Sequence, residues 1–194
     1  MRYRDGAGPG SAEGGFVKLH IGCGGKRIDG FLHIDIMPIS GVDYVSDARV
    51  LPHADGTIEM IYASHVLEHF GRHEYAAALR EWYRVLRPGG VLRLAVPDFA
   101  CCAALYVEGG LARGLSDIIG LMVGGQRNGF DYHRMVFDEP LLTTALQAAG
   151  FRTVRRWDWR TTEHASVDDY SQAYLPHMDK QAGRLVSLNL EAVR

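Results

Sequence analysis

The stretch that decides the fold is LHIGCGG, at residues 19–25. Residues 17–21 alternate in polarity and run straight into Gly22, which is the pattern of a buried strand that ends in a tight loop. A strand ending in Gly-x-Gly brings the backbone close to a ligand, because no Cβ atom stands in the way. The segment therefore predicts a binding site at the end of the first strand.

The loop departs from the dinucleotide-binding fingerprint. That fingerprint places a third glycine three positions after the second, where this chain has Arg27. An NAD-binding function is therefore disfavoured. The loop is better suited to the methionine end of S-adenosylmethionine, because that ligand has no pyrophosphate to cradle.

Acidic residues follow the next two predicted strands. Asp35 ends the strand at residues 31–36, where a carboxylate can accept both ribose hydroxyls. Asp47 and Ala48 follow a short strand at residues 42–45 and can contact the adenine edge. Each residue alone is also typical of an ordinary turn or helix cap, and their order at successive strand ends favours binding. The residues predicted to bind the cofactor are His20, Gly22, Cys23, Gly24, Asp35, Ile36, Asp47, Ala48 and Ser64.

The remaining elements predict an α/β fold. Further strands are predicted at residues 57–63, 91–96, 151–159 and 185–193, and helices at 74–86 and 139–149. Strands separated by helices or loops indicate a mostly parallel, seven-stranded sheet flanked by helices. The glycine-rich residues 99–138 predict a short helical cap on the substrate side, after the fifth strand. Residues 1–15 are expected to be a disordered arm, and residues 16–194 a single domain.

Composition narrows the class of protein. The 194 residues carry a formal net charge of -2 and three cysteines, too few and too unevenly spaced for a disulfide framework. The apolar runs fall short of the roughly 20 residues that span a membrane, and residues 1–15 lack the apolar core of a secretion signal. We expect a cytoplasmic protein that binds neither membranes nor nucleic acid and needs no metal ion. The oligomeric state stays open.

Several blocks carry a resemblance to a known family. They are the glycine loop, Asp35, DARVLP at residues 47–52, HVLEH at residues 65–69 and LRPGG at residues 86–90. The resemblance resumes at residues 133–151. In these blocks the sequence resembles class I S-adenosylmethionine-dependent methyltransferases, most closely the type-11 group. The resemblance implies a Rossmann-like fold and S-adenosylmethionine as the cofactor. The group usually has an acid at the place of His20 and a glycine at that of Lys26.

The resemblance implies methyl transfer. Because the sequence offers little beyond the core and one short cap, we expect a small-molecule or glycan-linked acceptor. The protein mainly has to align the nucleophile, the methyl group and the sulfur, and a general base helps only a poorly acidic acceptor. Candidates lie at strand ends or in the cap: His65 and His133 as catalytic residues, Asp98 and Tyr132 as substrate-binding residues. Each histidine is equally typical of a structural role. His164 and His177 also stay open as residues that reach the site.

Three alternative functions remain. One is a catalytically silent protein that binds S-adenosylmethionine or S-adenosylhomocysteine. Another is a zinc peptidase, because His65, Glu68 and His69 spell H-x-x-E-H. Gly71 interrupts the helix that such a motif requires, so this function is disfavoured. The last is an NAD enzyme, which Arg27 argues against.

Overall fold

The computed structural model describes residues 17–194, and the arm predicted at residues 1–15 lies outside the described residues. Seven strands form the main sheet. They are β1 (Val17–Ile21), β2 (Phe31–Asp35), β3 (Tyr44–Val45), β4 (Ile58–Ser64), β5 (Leu86–Pro97), β6 (Thr153–Arg156) and β9 (Ser187–Val193). A separate pair consists of β7 (Tyr174–Leu175) and β8 (Arg184–Leu185).

The order of the main sheet is β3-β2-β1-β4-β5-β9-β6. The first five strands are parallel, and β9 runs antiparallel between β5 and β6. The chain reverses its direction of growth between β1 and β4, which is the switch point where open α/β sheets bind ligands. The predicted fold class, a mostly parallel seven-stranded Rossmann-like sheet, is confirmed.

Four α-helices lie among the described residues: α1 (Tyr75–Val85), α2 (Phe99–Val107), α3 (Ile119–Val123) and α4 (Glu139–Ala149). Short 3-10 helices occupy Leu67–His69, Gly114–Asp117, Trp159–Thr161 and Tyr170–Gln172. None of the helices in residues 17–194 has the length and apolar character needed to cross a bilayer. The connections β1–β2, β2–β3 and β3–β4 contain no helix.

The two faces of the sheet differ in chemistry. On one face, alternate strand residues such as Leu19, Ile61 and Leu92 pack with Trp82 of α1 and Leu142 of α4 in the main hydrophobic core. These side chains are fully buried, so each contributes roughly 1.5–3 kcal/mol of transfer free energy. The period of two along the strands and of 3.6 along the helices produces this core.

The opposite face, here called the polar face, carries His20, His33, Tyr62, Arg93 and Glu191. The segment at residues 157–172, which contains two short 3-10 helices, covers it in place of an α-helix. The Tyr62 hydroxyl donates a hydrogen bond to Asp169 Oδ2 at 2.6 Å, and Arg93 pairs with Glu191 at 3.1 Å. Tyr62, Arg93 and Glu191 thus have polar partners, as burial favours, whereas the His20 Nδ1 atom has no hydrogen-bond partner among residues 17–194.

Some element boundaries differ from the prediction. Strand β5 begins at Leu86, directly after α1, and its register shifts opposite residue 59, between Ile58 and Met60. A Cβ atom on Gly90 would lie 2.8 Å from the Arg87 carbonyl oxygen, so the LRPGG sequence accommodates a bulge as well as a helix end. Strand β6 spans only Thr153–Arg156 of the predicted residues 151–159. Helix α4 has the predicted bounds.

Residues 99–138, here called the cap, contain the predicted short helical pieces. Helix α2 begins at Asp98, whose side chain accepts a hydrogen bond from the Cys101 N–H at 3.1 Å. Its buried side chains Cys102 and Leu105 pack with Ile118. The rest of the cap, residues 124–138, returns along the carboxyl ends of the strands to α4.

Candidate functional site

A cavity of about 380 Å³ lies at the carboxyl ends of the parallel strands. Its floor comes from the residues that end or follow β1, β2, β3 and β4, and its outer wall comes from residues 127–132 and Arg134 of the cap. The predicted site residues that line it are Gly22, Asp35, Ile36, Asp47, Ala48, His65 and Tyr132. Volumes of roughly 300–1,000 Å³ are typical of pockets for small ligands.

Asp35 is the most buried acid of the cavity, with 9% of its surface exposed. Its Oδ2 atom accepts a hydrogen bond from the Gly24 N–H at 2.9 Å, and its Oδ1 atom accepts one from the Met37 N–H at 2.9 Å. A carboxylate has about four acceptor positions, so each oxygen keeps one for a ligand hydroxyl. The carboxylate therefore both ties the glycine loop to the end of β2 and faces the cavity.

Gly22 lies in the left-handed region, with a φ of 64°. A Cβ atom at this position would lie 2.3 Å from Val66 Cγ2, inside any allowed contact. The N–H groups of Gly22 and Cys23 donate to the Ile34 carbonyl oxygen, at 2.7 and 3.3 Å. Because the Gly24 N–H is also paired, with Asp35, the amides of Gly22, Cys23 and Gly24 all have partners within the protein, and the loop offers a ligand space and backbone proximity.

Asp47 belongs to an ion-pair chain on the floor of the cavity. It pairs with Arg49 at 2.6 Å, and Arg49 pairs with Glu74 at 2.7 Å. The side-chain hydrogen bond from Arg49 lowers the pKa of Asp47, so Asp47 is ionised at neutral pH. An ionised carboxylate here can accept a hydrogen bond from a ligand amino group.

The cap contributes aromatic rings to the cavity. Phe130 is 57% exposed and Tyr132 is 44% exposed, and both line the cavity. Arg127 and Asp131 hold this loop in shape through an ion pair at 2.6 Å. The exposed rings are therefore available to a ligand that enters between the cap and the strand ends.

Comparisons with known proteins agree with this geometry. The family described as a methyltransferase domain matches residues 32–94. A SAM-dependent methyltransferase of Thermotoga maritima, a possible histamine N-methyltransferase, has a similar structure (TM-score 0.55, 14% identity, 91% of this chain and 81% of that one). The chain has the fold of the class I methyltransferases. The predicted resemblance to this family is confirmed.

Two further structures share the class I methyltransferase fold. One is a SAM-dependent methyltransferase of Archaeoglobus fulgidus (TM-score 0.55, 14% identity, 93% of this chain and 87% of that one). The other is the 1,6-didemethyltoxoflavin-N1-methyltransferase of Burkholderia thailandensis, solved with 1,6-didemethyltoxoflavin and S-adenosylhomocysteine (TM-score 0.56, 15% identity, 92% and 70%). Among curated proteins, no sequence matches the chain. S-adenosylmethionine is the cofactor that the methyltransferase family and fold support.

His65 is the predicted catalytic residue that lines the cavity of this methyltransferase fold. It follows β4 in a left-handed conformation, with a φ of 54°, and burial lowers its pKa to about 3. Its Nε2 atom lies 3.2 Å from Ser187 Oγ, which itself donates to Asn189 Oδ1 at 2.8 Å. Nε2 is therefore the protonated nitrogen, and Nδ1 keeps its lone pair.

The other predicted catalytic residue, His133, lies beneath the cap and outside the cavity lining. Its Nδ1 atom donates to the Leu121 carbonyl oxygen at 2.8 Å, and its Nε2 atom lies 3.8 Å from Glu68 Oε1. Burial raises the pKa of Glu68 to about 8. His65, Glu68 and His133 are thus neighbours, although only His65 reaches the cavity.

Several other predicted residues also lie outside the cavity lining. His20 is buried on the polar face beside Tyr62, where burial lowers its pKa to about 4, and His164 stacks on the same tyrosine with 4.1 Å between ring centroids. Asp98 caps α2 and His177 is exposed. Cys23, Gly24 and Ser64 flank residues of the lining.

The structure adds cavity residues that the sequence did not predict. They include Met37, Arg49, Phe70, Glu74, Arg127 and Phe130. Arg49 lies inside a block that resembles the family, and Phe130 lies among the glycines of the cap, so the sequence could have indicated that both line the cavity. Glu74 carried none, because its contact with Arg49 joins distant parts of the chain.

The H-x-x-E-H pattern does not form the helix that a zinc peptidase requires. His65 has left-handed backbone angles, and Leu67–His69 form a three-residue 3-10 helix. The i and i+4 histidines of a continuous helix share one face, whereas here the backbone turns between them. Leu67 packs into the main core instead.

Proposed function

We propose that this protein transfers a methyl group from S-adenosylmethionine to a small-molecule acceptor. The observation that carries the proposal is Asp35, a buried carboxylate beside the glycine loop that keeps acceptor positions directed at the cavity. An acid at the end of the second strand is suited to the two ribose hydroxyls of a nucleoside.

The lining residues suit the parts of this cofactor. Asp47, held ionised by Arg49, is suited to the adenine amino group, and Ile36 and Ala48 offer apolar contact to the adenine ring. Gly22 lines the cavity beside Asp35 and is placed next to the methionine end, and any side chain there would collide with Val66, which also lines the cavity. When bound, the cofactor supplies an activated methyl group on a sulfonium.

The acceptor is proposed to enter between His65 and the cap. With both bound, the acceptor atom would form a bond to the methyl carbon as the carbon–sulfur bond breaks, S-adenosylhomocysteine would leave, and the acceptor's proton would pass to solvent. Phe130 and Tyr132 are placed to hold a flat or apolar acceptor. His65 is neutral because burial lowers its pKa to about 3, and its ring forms part of the wall beside the acceptor.

Because the cavity of about 380 Å³ would hold the cofactor as well, the space left in it suits a small acceptor better than an extended one. A glycan-linked acceptor would have to leave most of its chain outside, so the assay panel includes one with a short linker. We further propose that residues 99–138 act as the acceptor-side cap of a single domain. Free Cys23, Cys101 and Cys102 are compatible with action in the cytoplasm.

The direct test is calorimetry of the purified protein with S-adenosylhomocysteine and NAD in parallel. We expect S-adenosylhomocysteine to bind and NAD not to bind. A preference for NAD would overturn the cofactor assignment. Mass spectrometry then follows S-adenosylhomocysteine formation from S-adenosylmethionine across hydroxyl and amine acceptors.

The same assay separates an enzyme from a silent binder. Asp35 and Asp47 would serve either protein equally well, because both bind the same nucleoside. Cofactor binding with no turnover across the whole panel would favour the silent binder. Methylated product that depends on both S-adenosylmethionine and acceptor would exclude it.

A further inference from the structure

The side chains of Glu68, His69 and His133 converge beneath the cap, and together they are here called the Glu68 cluster. A potential ligand atom from each residue lies within 4.8 Å of those of the other two. Glu68 and His69 come from the 3-10 helix after β4, whereas His133 comes from the extended segment of the cap that returns to α4. The cluster therefore joins two parts of the chain that are distant in sequence.

Glu68 is the least expected member. Its side chain is 1% exposed, and neither carboxylate oxygen has a hydrogen-bond partner among residues 17–194. His65 Nδ1 lies 3.3 Å away from Oε1 without the geometry of a hydrogen bond. A buried carboxylate without a partner is costly, so it calls for a proton or a cation.

The two histidines are oriented as metal ligands are. His69 Nδ1 lies 3.1 Å from the Tyr132 carbonyl oxygen, and His133 Nδ1 lies 2.8 Å from that of Leu121. A carbonyl only accepts, so both Nδ1 atoms carry the proton and both Nε2 atoms keep a lone pair. In metal sites the second ring nitrogen typically donates to a carbonyl or carboxylate in this way.

The backbone holds the cluster together. The Glu68 carbonyl oxygen accepts hydrogen bonds from the Arg134 and Met135 N–H groups, at 2.8 and 3.1 Å. The His133 N–H donates to the Val123 carbonyl oxygen at 3.1 Å. The three ligand atoms are therefore positioned by the fold itself.

We propose that Glu68, His69 and His133 bind one divalent transition-metal ion, such as Zn²⁺. Two imidazoles and one carboxylate are a ligand set for Zn²⁺, Fe²⁺ or Co²⁺, whereas Mg²⁺ and Ca²⁺ prefer oxygen alone. Three protein ligands leave an open coordination position for water or another ligand. Since His69 also lines the cavity, the metal adjoins the cofactor site. This proposal differs from the expectation from sequence that no metal ion is needed.

The test uses tag-free, full-length protein stripped with EDTA and dialysed against Zn²⁺, with Mg²⁺ as the comparison ion. We expect one zinc per chain by elemental analysis and a Tm that rises with Zn²⁺ and not with Mg²⁺. Co²⁺ in place of Zn²⁺ should give visible absorption bands. Wild-type protein that is folded yet retains no zinc and shows no Tm change would overturn the proposal.

Variants assign the ligands. His69→Ala and Glu68→Gln should each weaken zinc binding by more than about tenfold, since even outer-shell changes at metal sites have effects of this size. His73→Ala is the matched control, because His73 is exposed and continues the four-residue spacing without belonging to the cluster. Equal losses from His69→Ala and His73→Ala would mean surface binding only.

The variants are compared through the Tm of their metal-free forms, which shows whether each one folds. If Glu68→Gln fails to fold, His69→Ala at the half-buried position carries the test. Both readouts need neither cofactor nor acceptor. This proposal, which rests on a site beside the proposed cofactor site, can therefore fail while the proposed methyl transfer holds, and the reverse.

Discussion

The carboxylate of Asp35 has two tasks at the residue scale. It accepts the Gly24 and Met37 N–H groups, so it shapes the loop, and it also faces the cavity. An effect on ligand binding must therefore be separated from an effect on the loop.

Replacing Asp35 with alanine should weaken binding of S-adenosylhomocysteine by about one to three kcal/mol, because charge-assisted hydrogen bonds to the ribose are lost. Calorimetry measures the affinity, and thermal unfolding shows that the variant is folded. Asp29→Ala is the control, since Asp29 is an exposed acid of the same β1–β2 connection outside the cavity. Unchanged affinity in folded Asp35→Ala protein would show that the ribose lies elsewhere.

Gly22 allows a second prediction at this scale. Gly22→Ala should lower the free energy of unfolding by about 1–3 kcal/mol, from left-handed strain and from the 2.3 Å approach to Val66. Gly30→Ala isolates the strain, because Gly30 has a φ of 81° and open space around its Cβ position. Urea unfolding of both variants gives the difference.

The contact with Val66 is tested by a double-mutant cycle. Truncating Val66 to alanine should remove much of the extra cost of Gly22→Ala, giving a coupling energy of opposite sign to the two single losses. If Gly22→Ala and Gly30→Ala lose the same stability, the close approach of Val66 has no energetic consequence.

At the scale of elements, the hydrophobic periodicity and the positions of glycine and proline predicted most of the fold. Helix α4 begins and ends where Pro140 and Gly150 place it, and β1 ends where the glycine loop begins. These boundaries depend on local backbone preferences that residue type sets directly. The same local preferences predicted where β2, β3 and β4 end at their carboxyl ends. Asp35 and Asp47 were therefore predicted at the edge of the sheet where the cavity lies.

The elements that sequence missed depend on distant contacts. Strand β6 ends early, and Trp157 just beyond it donates its indole N–H to the carbonyl oxygens of Leu94 and Leu190, at 3.1 and 3.2 Å. The sequence of residues 157–172 has neither a helical nor a strand-like hydrophobic period, so it did not predict that this segment covers the polar face. The position of His133 beside Glu68, rather than on the cavity, likewise depends on how the cap returns.

Variants of Asp98 separate its role as the N-cap of α2 from the predicted role in substrate binding. Its side chain caps α2 and lies outside the cavity, so Asp98→Ala should lower the free energy of unfolding by about 1 kcal/mol. Asp98→Asn should retain most of that stability, because asparagine caps helices about as well. Affinity for S-adenosylhomocysteine should be unchanged in both variants. A loss of acceptor turnover in stable Asp98→Asn protein would restore the predicted role in substrate binding.

At the scale of the whole molecule, the two faces of the sheet respond differently to acid. The apolar face carries the main core, whereas the polar face buries His20, His33 and His164. Burial lowers the pKa of His20 from 6.5 to about 4 and also lowers that of His164. The charged and titratable groups that act on His20 are His33, His164, Lys26 and Asp169.

A histidine whose pKa is lower in the folded state binds protons more tightly when unfolded, so its contribution to stability is complete above pH 6.5 and falls as the pH drops towards 4. We expect His20 alone to remove about 2 kcal/mol of stability between pH 7.5 and pH 5. Urea unfolding in EDTA-containing buffers measures this slope. His20→Phe keeps a ring beside Tyr62 and should flatten it, whereas exposed His177→Gln should not. An unchanged slope in His20→Phe would place the acid sensitivity elsewhere in the molecule.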